Sequence, residues 1–453
     1  MRVRVLTIAS SSACLLLATL LSVGVAGAQQ APPAGTGLRD EIARAVAAYF
    51  AADDRAAASA LAPVVKLARG NEALLADVVR KKSFVPATAE VDARGAIDAH
   101  YEFAAGITGK DQERNEARLA GPASGDRLFP LVVYVPDATS TVQFERELLE
   151  QGTRAGRYVF LVPDEKRDNS YAPSVHEHRR HAGPMRTLLL TLPIDPDRVY
   201  MIGSGRGGHA TWDVGFLAAD RWAGIFPCNG GLVHEGGWKA SGGVFLTNAR
   251  SFAVFTVFNT TFDHGIESCR YAVAKFREWN YRIEAHEEQQ MRHMGIGEAM
   301  GKLAPVVRNA HPRRIEKRFN HVEDGAHYWL RALDRKPKEW DPAAKIVVQG
   351  DWPADRDKQL EVVWDAVRKQ CGYLAGTVAA NRVDVTTQGV GRVRIYLDPE
   401  LVDFGESVTI AVNGKVARTL KPVLQPDVML QRVRETGDTS CLYWAFVDLT
   451  IGG

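Results

Sequence analysis

The stretch Arg198-Val-Tyr-Met-Ile-Gly-Ser-Gly-Arg-Gly-Gly-His-Ala-Thr-Trp-Asp213 decides the fold. A short apolar run at 199–202 ends in a tract holding Gly203, Gly205, Gly207 and Gly208, and helical spacing resumes at 207–218. A strand that turns this sharply into a helix needs small residues two before and two after its tip. Gly203 and Gly207 meet that demand if the tip is Gly205. A tip at Ser204 would put Ile202 and Arg206 in the tight positions, which the turn disfavours. The frame therefore sets Gly205 at the tip and leaves Ser204 one residue early, its side chain aimed elsewhere.

Outward from this point, short apolar runs alternate with helical stretches. The runs lie at 131–135, 158–162, 199–202, 223–226, 253–258 and 283–285, with helix candidates near 142–151, 176–191, 207–218, 266–279 and 297–308. Continuous apolar strands separated by helices predict a mostly parallel sheet covered on both faces, hence a three-layer α/β domain over 128–310. Before it, 38–121 is Ala-rich and helical, with Leu38, Ile42, Val46 and Tyr49 at helical spacing and the pattern resuming at 56–67. It reads as a helical cap or docking unit. After it, 314–453 reads as a β-rich accessory domain with short strands at 327–333, 383–385, 393–397 and 408–412 and one helix near 357–369. Asn413-Gly414 between two strand-like runs is a type I′ hairpin signal.

The N-terminus has the grammar of a secretory signal. Arg2 and Arg4 precede an apolar run over 5–25, and Ala26-Gly27-Ala28 offers small-x-small cleavage before Gln29. Ser10, Ser11 and Ser12 and the polar tract at 29–37, expected to be a disordered leader, argue against a retained anchor, so no membrane span is expected once the signal is removed. Export to the periplasm or beyond is the expectation. A length of 453 residues calls for two or three domains, and a net charge of +2 gives no electrostatic case for nucleic acid or anionic membrane. Cys14 leaves with the signal. Cys228, Cys269, Cys371 and Cys441 are too sparse for a disulfide scaffold, and Cys228, at the end of a core strand, reads as a buried free thiol.

The tract at 203–208 resembles the nucleophile elbow of α/β-hydrolases, and most closely that of exported bacterial esterases and prolyl-oligopeptidase-like members. Their strand ends in Gly-x-Ser-x-Gly-Gly, followed by a helix that often carries a Thr-Trp pair like Thr211-Trp212. Ile194-Asp-Pro-Asp-Arg-Val-Tyr200 and Ala219-Asp-Arg-Trp-Ala-Gly-Ile225 are similar to the flanking segments, and the resemblance covers 128–310. It implies a nucleophile at Gly205, where glycine has none, so the elbow is degenerate. It also implies an acid after the 253–258 strand, where Asp263 stands, and a base after the 283–285 strand, where His293 stands, with His286 and His264 as rivals. The oxyanion strand of such enzymes ends in His-Gly-Gly or similar. Here Val135-Pro136-Asp137-Ala138 replaces it, with no N–H on Pro136 and a carboxylate on Asp137 that opposes developing negative charge. Arg206, Asp137 and Ala138 are the residues to examine at that oxyanion or anion-binding position, Arg206 because it opens a helix N-terminus.

Two further patterns are weaker. Gly203-Ser-Gly205-Arg-Gly-Gly208 fits Gly-x-Gly-x-x-Gly, a dinucleotide fingerprint, but two parallel strands precede it and the next strand ends in Pro227-Cys228-Asn229 without an acid for a ribose. No cofactor is expected. His176-Glu-His-Arg-Arg-His181 spreads its histidines over different helix faces, so no metal site is expected there. The sequence thus points to a noncatalytic or weakly catalytic hydrolase homologue that binds a small molecule or peptide at the former active site. The competing readings are an active esterase or peptidase using Ser204, and an envelope interaction protein that uses the fold as scaffold.

Overall fold

The computed structural model describes residues 3–5, 37–81, 90–91, 97–98, 128–135, 137, 158–163, 182–191, 194–232, 243–259, 266–289, 296–336, 340, 346–348 and 352–451. In chain order its first elements are strand β1 (Val3–Val5) and helices α1 (Leu38–Ala51), α2 (Ala57–Ala68) and α3 (Glu72–Lys81). A small pair follows, β2 (Glu90–Val91) and β3 (Ile97–Asp98), where the sequence reads as helical.

The α/β domain contributes β4 (Phe129–Val135), β5 (Val159–Pro163), α4 (Ala182–Thr191), β6 (Ile194–Ser204), α5 (Arg206–Leu217), β7 (Gly224–Cys228), β8 (Ala253–Asn259), α6 (Ile266–Glu278), β9 (Ile283–Glu288) and α7 (Ile296–Leu303). The strands lie in the order β1-β5-β4-β6-β7-β8-β9. All neighbours from β5 to β9 are parallel, and only β1 runs antiparallel, on the β5 edge. Six apolar runs predicted as strands occupy the six parallel positions. Successive residues serve opposite faces: Leu131, Val133, Met201 and Val199 enter one apolar cluster, and Val132, Tyr134, Tyr200 and Ile202 the other. The first face is covered by Leu188, Leu189, Trp212, Phe216 and Phe276 from α4, α5 and α6, the second by Ala299, Met300 and Leu303 from α7. Burial on both faces is why the inner strands β4, β7 and β8 read as continuous apolar runs, whereas the edge strand β9 is only partly buried.

Beyond it come β10 (Arg314–Phe319), β11 (Ala326–His327), β12 (Leu330–Ala332), α8 (Arg356–Gln370), β13 (Gly372–Ala379), β14 (Arg382–Gln388), β15 (Arg392–Leu397), β16 (Val408–Val412), β17 (Lys415–Leu420), α9 (Pro426–Thr436) and β18 (Ala445–Thr450). They form a five-stranded sheet, β10-β13-β14-β16-β17, and a four-stranded one, β11-β12-β15-β18, which share one core built on Phe319, Trp329, Ile395 and Ile410. Asn413 and Gly414 have φ of 49° and 81°, the left-handed pair that a type I′ turn requires, and they close the β16–β17 hairpin.

Two details differ from the sequence reading. Helix α8 lies within the stretch assigned to the accessory domain, yet its Trp364 and Val367 pack into the core of the parallel sheet. A second helix, α9, starts at Pro426, a residue suited to the first helical turn, and carries Met429, Leu430 and Val433 into a cluster with Ile42, Val46 and Val78 of the N-terminal helices. Arg434 of α9 donates to the carbonyls of Tyr49 (2.8 Å) and Ala52 (2.6 Å), placing a cation at the C-terminus of α1. Cys228, Cys269, Cys371 and Cys441 are all buried free thiols. Among the described residues no helix is long and apolar enough to cross a membrane.

Candidate functional site

The chain leaves β4, adds β5 on one side, then crosses to lay β6 on the other, so the strand order reverses between β4 and β6. In open α/β sheets the crevice outside the carboxyl ends at such a switch point is the favoured place for a ligand. Two described residues flank it here: Asp137 beyond β4 and Gly205 at the end of β6.

Gly205 sits between strand and helix with φ 54° and ψ −116°, a combination that a side chain strongly disfavours. Its N–H donates to the carbonyl of Cys228 (2.9 Å), and its own carbonyl accepts from His209 N–H (3.2 Å). The neighbouring glycines are compressed. A Cβ on Gly203 would lie 2.1 Å from the Gly207 carbonyl oxygen, and one on Gly208 would lie 2.5 Å from that of Cys228. Facing Gly208, Gly230 leaves no room either, since its Cβ would be 2.5 Å from His209 N. The loop after β7 is in turn pinned to the helices, with Trp212 Nε1 donating to Gly230 O (2.9 Å) and His209 Nδ1 lying 2.7 Å from Gly231 O. The sharp strand-to-helix turn thus rests on backbone packed against backbone. The domain has the α/β-hydrolase fold.

Ser204 belongs to β6 and pairs in register with Cys228. By strand alternation its side chain shares the face of Ile202, the α7 side of the sheet. No hydrogen bond of its hydroxyl to a described residue is formed. Above Gly205 the space is taken. A Cβ added there would lie 2.6 Å from Oδ2, 2.7 Å from Cγ and 2.9 Å from Oδ1 of Asp137. The carboxylate of Asp137 therefore stands where a side chain on the tip residue would project. It also lies by the first turn of α5, whose N-terminal dipole favours negative charge. Arg206, half-buried, is the first residue of that helix.

Asp263 and His264, expected after β8, lie outside the described residues, as do His293 after β9, Ala138, and the histidines at 176–181. His286 is described. It sits on the exposed edge strand β9 beside Glu284 (2.9 Å). That is three strand spacings, roughly 14 Å, from β6, too far to serve Gly205. Sequence reading missed Asn229 and Asn259 at the same end of the sheet. Both are buried, Asn259 Nδ2 lies 3.3 Å from Asn229 Oδ1, and Asn229 has φ 49°. The Cys228-Asn229-Gly230 run carried the signal, because asparagine is among the few residues that accept a left-handed backbone. Among the described residues no group of histidine, cysteine and carboxylate side chains has the arrangement of a metal site.

No protein-family model matches the chain, and no curated protein matches it in sequence. Solved structures similar to part of it include a thermostable esterase (20% identity over 42% of this chain and 59% of that one, TM-score 0.33). Others are esterase PE8 (11%, 40% and 94%, TM-score 0.32) and a lipase/esterase from Lactobacillus plantarum (13%, 39% and 86%, TM-score 0.32). The chain thus spans 59% of the thermostable esterase. At these TM-scores the likenesses carry no argument, and the fold rests on the strand order and the turn at Gly205.

Proposed function

We propose that this protein is an exported homologue of serine esterases and peptidases that has lost its nucleophile and uses the crevice over Gly205 for binding instead of acyl transfer. The observation that carries the reading is the pairing of Gly205 with Asp137: the tip has no side chain, and a carboxylate fills the space one would need. Acyl transfer builds negative charge on an oxyanion at this point, and a carboxylate standing there raises the energy of that state. The same carboxylate suits a ligand that presents a hydroxyl, amide or ammonium donor to it. Export rests on Arg2, Arg4, the apolar run over 5–25 and the Ala26-Gly27-Ala28 site. Cleavage after Ala28 would remove β1 and leave β5 as the sheet's edge.

The test is p-nitrophenyl acetate hydrolysis by the wild-type chain and by Gly205→Ser, alone and with Asp137→Gly. The reading expects background rates for the wild type and for the single variant, whose new side chain meets the Asp137 carboxylate. It expects turnover above background for the double variant. Wild-type turnover abolished by Ser204→Ala would overturn it in favour of Ser204 as nucleophile.

A further inference from the structure

At the far end of α5 from Gly205, a cavity of about 240 Å³ lies where the α/β domain meets the β-rich region and α9. One side is apolar, formed by Met185, Leu217 and Trp222. The other is charged, lined by Asp220, Lys317, Arg186 and Arg221 together with Glu323, Asp324 and Glu435, the last paired with Arg331 and Arg432. Asp220 is 9% exposed, and among the described residues its carboxylate accepts only one long contact, 3.4 Å from Tyr328 N. An ionised carboxylate has about four acceptor sites, and leaving them empty in a buried place is costly. Lys317, 2% exposed, donates two of its three N–H groups, to Leu217 O (2.6 Å) and Ala326 O (2.8 Å). Arg221 donates one N–H to Thr436 O (3.0 Å), and Arg186 donates through Nε to Arg434 O, so both guanidiniums are anchored on the C-terminus of α9 with their remaining donors uncommitted among the described residues.

We propose that this cavity binds a small zwitterion, a free α-amino acid with an apolar side chain. Its ammonium group would meet Asp220, its carboxylate the open donors of Arg186 and Arg221, and its side chain the Met185–Leu217–Trp222 wall. The volume is below the ~300 Å³ at which drug-sized sites begin, which suits a single amino acid. Fixed charges of both signs, already oriented by backbone contacts, bind a ligand of matching polarity without reorganising, and they penalise a ligand that leaves one of them unpaired. The site is at the opposite end of α5 from Gly205 and does not depend on what that crevice binds.

The test is isothermal titration of the full chain with L-leucine, L-leucinamide and 4-methylpentanoate, which keep the side chain and carry both charges, the cation only, or the anion only. The expected result is saturable binding of leucine, with both analogues weaker by at least about tenfold. Asp220→Asn should abolish leucine binding. Should that variant fail to fold, Ala182→Trp serves instead: Ala182 is an exposed residue at the mouth, and the indole would block entry without disturbing the core. Absence of saturable binding of leucine would overturn the proposal and leave the cavity to water. Equal binding of the three ligands, or unchanged leucine binding by Ala182→Trp, would overturn it too.

Discussion

Helix α5 begins beside the carboxylate of Asp137 and ends on the ammonium of Lys317, so a charge of the favourable sign stands at each end of its dipole. The materials differ. The N-terminal end is built from residues without side chains, Gly203, Gly205, Gly208 and Gly230, pressed backbone to backbone. The C-terminal end is built from long charged side chains brought from distant parts of the sequence: Lys317 from β10, and Arg308 reaching Asp197 (2.8 Å) and Asp438 (2.8 Å) while only 2% exposed. One end holds a backbone shape that suits chemistry at a tip. The other joins the α/β domain to the β-rich region and α9.

That contrast can be broken by mutation. The largest expected effect is at the ionic end. Arg308→Met leaves Asp438 buried without its cation and should cost about 3–5 kcal/mol in urea unfolding. A loss under about 1 kcal/mol would mean that water reaches the junction and that it is not a buried pair. At the glycine end, Gly203→Ala forces a methyl against the Gly207 carbonyl and Thr211 Oγ1 and should cost about 3 kcal/mol, near the upper range of overpacking. Gly205→Ala should cost less, about 1–3 kcal/mol, because the strain is in φ and ψ and the obstructing Asp137 side chain can rotate.

Acid acts on the ionic end, and with both signs. Burial alone would raise the Asp220 carboxyl, but Arg221, Lys317, His327 and Arg432 outweigh it and hold the group at about 2. Burial pushes His327 down to about 3, and among the described residues no hydrogen bond reaches its Nδ1. Both folded values lie below the unfolded ones, so each contribution is complete above the unfolded pKa and is lost as pH falls toward the folded one. The His327 contribution should begin to fade below about pH 6.5 and the Asp220 contribution below about pH 5. Urea midpoints from pH 7 to pH 4 should therefore fall, and His327→Gln should flatten the upper part of that slope. His311 works the other way. Burial opposes its charge, but the Asp398 carboxylate 2.9 Å away raises it, so its contribution is present in acid and fades as pH rises. An unchanged slope in His327→Gln would show that the histidine is solvated in the folded protein. The smallest expected effect lies outside both ends, at the β16–β17 turn, where Gly414→Ala strains one left-handed residue by about 1 kcal/mol.

The parallel sheet was legible because its inner strands are buried on both faces and therefore read as plain apolar runs. The turn at Gly205 was legible because its constraint is local, a matter of which residues two apart lack a Cβ. The seat of the Asp137 carboxylate directly over Gly205 was not, since the two residues follow different strands and nothing in either segment fixes the angle of approach. The same holds more strongly for Lys317 and Asp220, which are far apart in sequence. Lys317 reads as an ordinary polar residue on a half-exposed strand until the fold lays it under Leu217. Helix α9 was missed because its apolar residues face other helices from the opposite end of the chain. Helix α8 was found but assigned to the wrong neighbour, since periodicity gives the apolar stripe and not the surface it covers.

The central claim is that the tip of the elbow carries no nucleophile. Intact-mass measurement of the wild-type chain after incubation with a fluorophosphonate probe tests it most directly, with an active esterase labelled in parallel. The account predicts no adduct on this protein. A stoichiometric adduct mapped to Ser204, or to any other serine at the carboxyl ends of β4, β6 or β8, would contradict it.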